Sequence, residues 1–83
     1  MPAAFRVQVR FFAVLREQAG CPGVELDTTA ATPAALYADL QTRYALAFPP
    51  ALLRVAINER YAEMTAPLAP GDRVVFIPPV AGG

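Results

Sequence analysis

Apolar and polar positions alternate at the start of the chain, with Phe5, Val7, Val9 and Phe11 on one side and Arg6, Gln8 and Arg10 on the other. Successive side chains of a strand point to opposite faces, so this period of two predicts a half-buried strand from Phe5 to Phe11. Phe12 breaks the alternation by placing an aromatic ring on the polar side. Ala13 to Ala19 reads as a short helical turn stopped by Gly20, the residue best suited to a left-handed conformation after a helix end. Period two resumes at Val24 to Thr28, where Val24 and Leu26 oppose Glu25 and Asp27. That predicts a second strand, joined to the first through an elaborated hairpin connection. Thr32-Pro33 then signals a helix start, because Thr caps free amides and Pro fits the first helical position. The helix should run to about Tyr44, with Leu36, Leu40, Tyr37 and Tyr44 at helical spacing and Asp39 and Arg43 placed for an i,i+4 ion pair on the wet face. Phe48-Pro49-Pro50 cannot continue it and turns the chain.

Leu53, Val55 and Ile57 alternate with Arg54 and Ala56 as a third strand, and Asn58-Glu59-Arg60 reads as a turn into a short strand from Tyr61 to Met64. Pro70-Gly71-Asp72 marks a turn before Arg73 to Ile77. The unbroken apolar run within that segment suits a central strand covered on both faces. Pro78-Pro79 ends it, since neither residue donates to a ladder. Strand, strand, helix, strand, short strand, strand predicts an α+β layer of one main helix packed across a small mixed sheet. A β-grasp, ubiquitin-like arrangement satisfies that order. Its first and last strands run parallel in the middle, so both end on the same side.

Length confines this to a single domain over residues 1–83, with a tail from about residue 78, because 83 residues hold only one small core. The 55% hydrophobic content exceeds the usual share of roughly 45–50%, so some apolar surface is expected to meet a partner. Seven Arg balance seven acidic residues, which leaves no basic stripe for a nucleic acid backbone. The longest apolar runs, Phe11 to Leu15 and Val74 to Val80, fall short of the roughly 20 residues that cross a bilayer, so no membrane partner is expected. Met1 to Arg6 lacks the layout of a secretory signal, which makes the expected location cytoplasmic. Cys21 is the one cysteine, with no His in the chain to activate it, and reads as an ordinary turn residue.

The candidate chemistry lies in the closing residues, Pro78, Pro79, Val80, Ala81, Gly82 and Gly83. Two final glycines contribute nothing to packing and lose the most entropy on ordering, so stability gives no reason for them. They make sense if the Gly83 carboxylate must enter a narrow active site, where the absent side chains permit close approach. Fully extended, the six residues span on the order of 20 Å, with the two prolines holding the base stiff and the glycines leaving the tip pliable. A carboxylate is a poor electrophile until another protein converts it to a mixed anhydride or thioester. With no His and no clustered carboxylates, the chain looks unequipped to catalyse alone. A Gly-Gly ending taken alone is also consistent with a chance tail; the strand and prolines before it favour the functional reading.

Gly71 to Gly83 resembles the pattern G-D-x-V-x-x-x-P-P-V-x-G-G of molybdopterin synthase small subunits, and Phe11 to Gly20 resembles that family's F-F-A-x-x-R-E-x-x-G segment. Length and element order agree throughout. The resemblance implies a sulfur carrier in which a ubiquitin-activating-type adenylyltransferase uses ATP to adenylate Gly83, after which sulfur replaces AMP to give a thiocarboxylate. It further implies that the tail inserts into a large synthase subunit, in a heterotetramer of two small and two large subunits, and donates sulfur to the molybdopterin dithiolene built from cyclic pyranopterin monophosphate. No stably bound cofactor is implied. The alternatives are a carrier for another pathway, of the thiamine thiazole type, and a ubiquitin-like protein modifier.

If the first and last strands are parallel neighbours, Phe12 and one of Val75 or Ile77 meet where the tail leaves, as an apolar patch for a partner. The competing reading folds Phe12 under the following turn as a satellite of the core. Arg10, Arg16 and Arg73 are candidates for contacts with acidic partner residues, against a default of solvated surface charge.

Overall fold

The computed structural model describes residues 3–79. Five strands form one sheet in the order β2-β1-β5-β3-β4, comprising β1 (Phe5–Phe11), β2 (Gly23–Thr28), β3 (Arg54–Ile57), β4 (Arg60–Ala62) and β5 (Arg73–Ile77). A short helix α1 (Val14–Ala19) connects β1 to β2, and the main helix α2 (Pro33–Tyr44) follows β2. A single 3-10 turn at Pro50–Leu52 leads into β3.

β1 pairs antiparallel with β2 and parallel with β5, and β5 pairs antiparallel with β3. The expected central placement of the last strand therefore holds, and β1 and β5 finish on the same side of the sheet. Val7, Val9 and Phe11 of β1, Val55 of β3, and Val74 and Phe76 of β5 face one way into the core. Leu36, Tyr37 and Leu40 of α2 cover them from above. The Tyr37 and Phe76 rings lie 5.2 Å apart, and Tyr44 meets Phe11 edge-on at 5.8 Å. Such contacts add a modest directional preference to the burial itself.

α2 begins as its sequence requires. The Thr32 hydroxyl accepts a hydrogen bond from the Ala35 amide at 3.2 Å, and Pro33 occupies the first turn. α1 ends on Gly20 in the left-handed region at φ 77°. Ala45 takes the same conformation after α2, at φ 56°.

Three expectations change. The short strand runs from Arg60 to Ala62 rather than Tyr61 to Met64, because Asn58 and Glu59, at φ 53° and 72°, complete a two-residue turn that starts the pairing one residue sooner. β5 is covered on one face only; Val75 and Ile77 lie on the face opposite α2 and remain partly exposed. With one main helix there is one covering layer, so the apolar run reflects a surface of mixed character. Asp39 and Arg43 approach no closer than a salt-bridge distance of 4.0 Å in their present rotamers, while the exposed ion pairs among the described residues join strands and turns instead.

Candidate site at the root of the tail

The side of the sheet where β1 and β5 end is shaped by the residues just beyond them. β1 stops at Phe11, and Ala13 turns the chain sharply with φ 52° and ψ −125° before α1 begins. That turn leaves Phe12 outside the core, 47% exposed and absent from the residues packed against it. On the neighbouring strand Ile77 leads into Pro78, which is buried, and Pro79, which is exposed. Phe12, Ala13, Val14, Phe48, Ile77, Pro78 and Pro79 together line an open apolar groove of about 550 Å³.

Phe48 reaches this groove because its loop is held by side chains from both helices. The Tyr37 hydroxyl donates to the Phe48 carbonyl at 2.9 Å. Gln41 Nε2 donates to the Leu46 carbonyl at 3.3 Å and, more weakly, to that of Phe48 at 3.5 Å. The Ala47 amide donates to Gln18 Oε1 of α1 at 2.9 Å. Burial around Tyr37 pushes its phenol pKa above the usual 10.0, so the hydroxyl stays a neutral donor across the ordinary pH range. Among the described residues no buried side-chain nitrogen or oxygen lacks a partner.

Of the residues singled out from sequence, the structure brings Phe12, Ile77, Pro78 and Pro79 together. Val75 lies on the same sheet face, one pleat further back, and does not line the groove. Val80, Ala81, Gly82 and Gly83 lie outside the described residues. Arg73 sits at the far end of β5, where it reaches Glu59 at 3.5 Å. Sequence reasoning missed Val14 and Phe48. The signal for Phe48 was present: an aromatic residue set against two prolines in a loop has no packing role that periodicity explains.

Chemically the site is an apolar seat around Pro78 and Pro79, with no nucleophile or acid–base pair among the residues that line it. Among the described residues no cluster of His, Cys, Asp and Glu could hold a metal ion, and no helix is long and apolar enough to cross a membrane.

Known proteins share both the sequence and the architecture. The molybdopterin synthase sulfur carrier subunit of Escherichia coli (strain K12) is 38% identical over 80 residues, covering 93% of this chain and 99% of that protein. The structure superposes on SAMP1 from Haloferax volcanii with a TM-score of 0.77 at 26% identity, covering 94% of this chain and 99% of that one. It also superposes on a chain of the complex of subunits 1 and 2 of molybdopterin-converting factor from Helicobacter pylori 26695, with a TM-score of 0.67 at 28% identity over 95% of this chain and all of that one. These likenesses establish the ubiquitin-like β-grasp fold, and the ThiS family pattern matches residues 9–83. The chain therefore belongs to the ThiS family, and its resemblance to molybdopterin synthase sulfur carriers extends over nearly its whole length.

Proposed function

We propose that this chain is the sulfur carrier subunit of a molybdopterin synthase, with the Gly83 carboxylate as its working group. The observation that carries the reading is the groove at the root of the tail. The central strand β5 delivers Pro78-Pro79 into an apolar seat that has no catalytic groups of its own, and the sequence continues Val80-Ala81-Gly82-Gly83. Such a layout suits a domain that is gripped at the tail's base while another protein acts on the tip. The relatives named for this role support it.

In the proposed cycle, a ubiquitin-activating-type adenylyltransferase joins the Gly83 carboxylate to AMP and releases pyrophosphate from ATP. A sulfur nucleophile then displaces AMP to leave the thiocarboxylate. The large synthase subunit accepts the tail and takes its sulfur for the dithiolene of molybdopterin, starting from cyclic pyranopterin monophosphate. The carrier contributes reach, through the narrow glycines, and docking, through Phe12, Phe48 and Ile77 around the prolines. It holds no stable cofactor of its own; ATP serves the activating enzyme.

The test is intact mass spectrometry after incubation with a cognate activating enzyme, ATP and a sulfur donor. Exchange of one oxygen for sulfur adds about 16 Da, confined to the C-terminal peptide. The large subunit and the pterin precursor, added next, should return the mass to its starting value as product forms. An unmodified carrier, beside an activating enzyme active on another carrier, refutes the proposal. Stable conjugates to target lysines would replace it with a protein-modifier role.

A further inference from the structure

The sheet face opposite α2 carries its charges unevenly. Away from the tail the charges are paired: Arg6 reaches Glu25 at 3.0 Å and Asp27 at 3.1 Å, and Arg73 reaches Glu59. Gln8 adds a further hydrogen bond to Glu25 at 3.3 Å. Toward the tail the pattern reverses. Arg10 lies beside Val75 across the β1–β5 ladder, and Arg54 lies beside Ile77 across the β5–β3 ladder. Both arginines are exposed, and neither has a carboxylate within 4.0 Å among the described residues. The nearest acidic position by register to Arg54 is Glu63, just past β4, and it makes no ion pair with Arg54. For Arg10 it is Glu25, already engaged by Arg6 and Gln8. Val75 and Ile77 of the intervening strand β5 form the apolar strip between the two cations, flanked by Ala56 on β3, and Phe12 continues it toward the groove.

We infer that Arg10 and Arg54 are specificity-determining contacts that read carboxylates on the large synthase subunit, placed on either side of an apolar projection. This deepens the proposed function and rests on it. The two positions are separated by two strand spacings and two residues along the strands, which puts their Cα atoms about 12 Å apart. A partner must therefore present two acidic side chains at a comparable separation with an apolar residue between them. Guanidinium groups suit the task, because they pair with carboxylates through two parallel hydrogen bonds and shed water more readily than ammonium. The surface belongs to the same continuous face as the tail root, so a subunit that seats on the groove covers the arginines as well.

Titration calorimetry of the full-length carrier against the purified large subunit tests this, run at about 50 mM and again at about 500 mM salt, where screening collapses to a few ångströms. The wild-type carrier should bind more weakly at high salt. The Arg10→Glu, Arg54→Glu double variant should lose at least about tenfold in affinity at low salt, with most of that loss disappearing at high salt. An Arg10→Gln, Arg54→Gln pair, which removes charge without reversing it, should flatten the salt dependence, and circular dichroism melting should confirm that both variants fold. Equal affinity of wild type and variants overturns the inference while sulfur transfer to product continues to support the proposed function. A wild-type carrier with no affinity for the large subunit overturns both. Self-association abolished by the reversals, with large-subunit binding unchanged, assigns the surface to a second copy of this chain and also overturns the inference.

Discussion

Tyr37 serves two roles through one side chain. Its ring is buried against Phe76, and its hydroxyl holds the loop carbonyl that brings Phe48 to the groove. Replacing it with Phe should keep the packing and remove the bond, at a cost of about 1 kcal/mol in urea unfolding. The same residue sets a pH dependence. Its folded pKa is raised above the unfolded value of 10.0 because burial penalises the phenolate, so the unfolded chain gives up the proton first. The stability this confers is complete below pH 10 and falls as pH rises through the folded pKa, and Tyr37→Phe should remove that part of the alkaline loss. Ala13 carries the opposite kind of constraint. At φ 52° and ψ −125° it occupies a region that costs a residue with a Cβ roughly 1–3 kcal/mol, whereas glycine enters freely. Ala13→Gly should therefore stabilise the fold by about 0.5–1 kcal/mol after the added flexibility of the unfolded chain is offset, as measured by denaturant midpoint.

At the scale of elements, α2 and the β1–β2 hairpin make the clearest contrast between what local sequence specifies and what neighbours impose. The Thr32 cap and Pro33 are local signals, and α2 starts where they place it; Thr32→Ala should cost about 1 kcal/mol of stability. Gly23 is different, because nothing nearby in sequence reveals why it lacks a side chain. In the fold, a Cβ at this position would sit 2.5 Å from the Val9 carbonyl oxygen of the adjacent strand. Gly23→Ala should thus push β2 away from β1 and destabilise by about 1–3 kcal/mol, visible as faster amide exchange in β2 before any change in β3. The strand alternation was legible in β1 and β2 because each has one wet face. It failed to anticipate the exposed side of β5, where apolar residues stand on a surface with no second layer. It also missed the first residue of β4, since the left-handed conformations of Asn58 and Glu59 close the turn in two residues, which the alternation does not register.

For the whole molecule, the arrangement that matters is the shared direction of β1 and β5. It brings Phe12, which is separated from Ile77 by most of the chain, to the place where the tail begins. Because Phe12 is half exposed and outside the core, Phe12→Asp should leave the thermal midpoint within a few degrees of wild type, as surface substitutions usually do. In a reconstituted synthase, it should nevertheless slow sulfur transfer at least tenfold when measured at limiting carrier, since a charge would enter an apolar seat. Unchanged transfer with that variant would remove the groove from the docking surface.

The element order and the tail motif were decided by the sequence alone, and for local reasons. Strand alternation, a Thr-Pro helix start, proline stops and a run of residues matching a family pattern all act over short spans of chain. The tertiary structure decided which exposed residues share a surface. Phe48 joins the groove only because Tyr37, Gln41 and Gln18 fix its loop, and Arg54 faces the same side as Arg10 only through the registers of two ladders. Such proximity depends on contacts between distant segments, which periodicity and spacing do not encode.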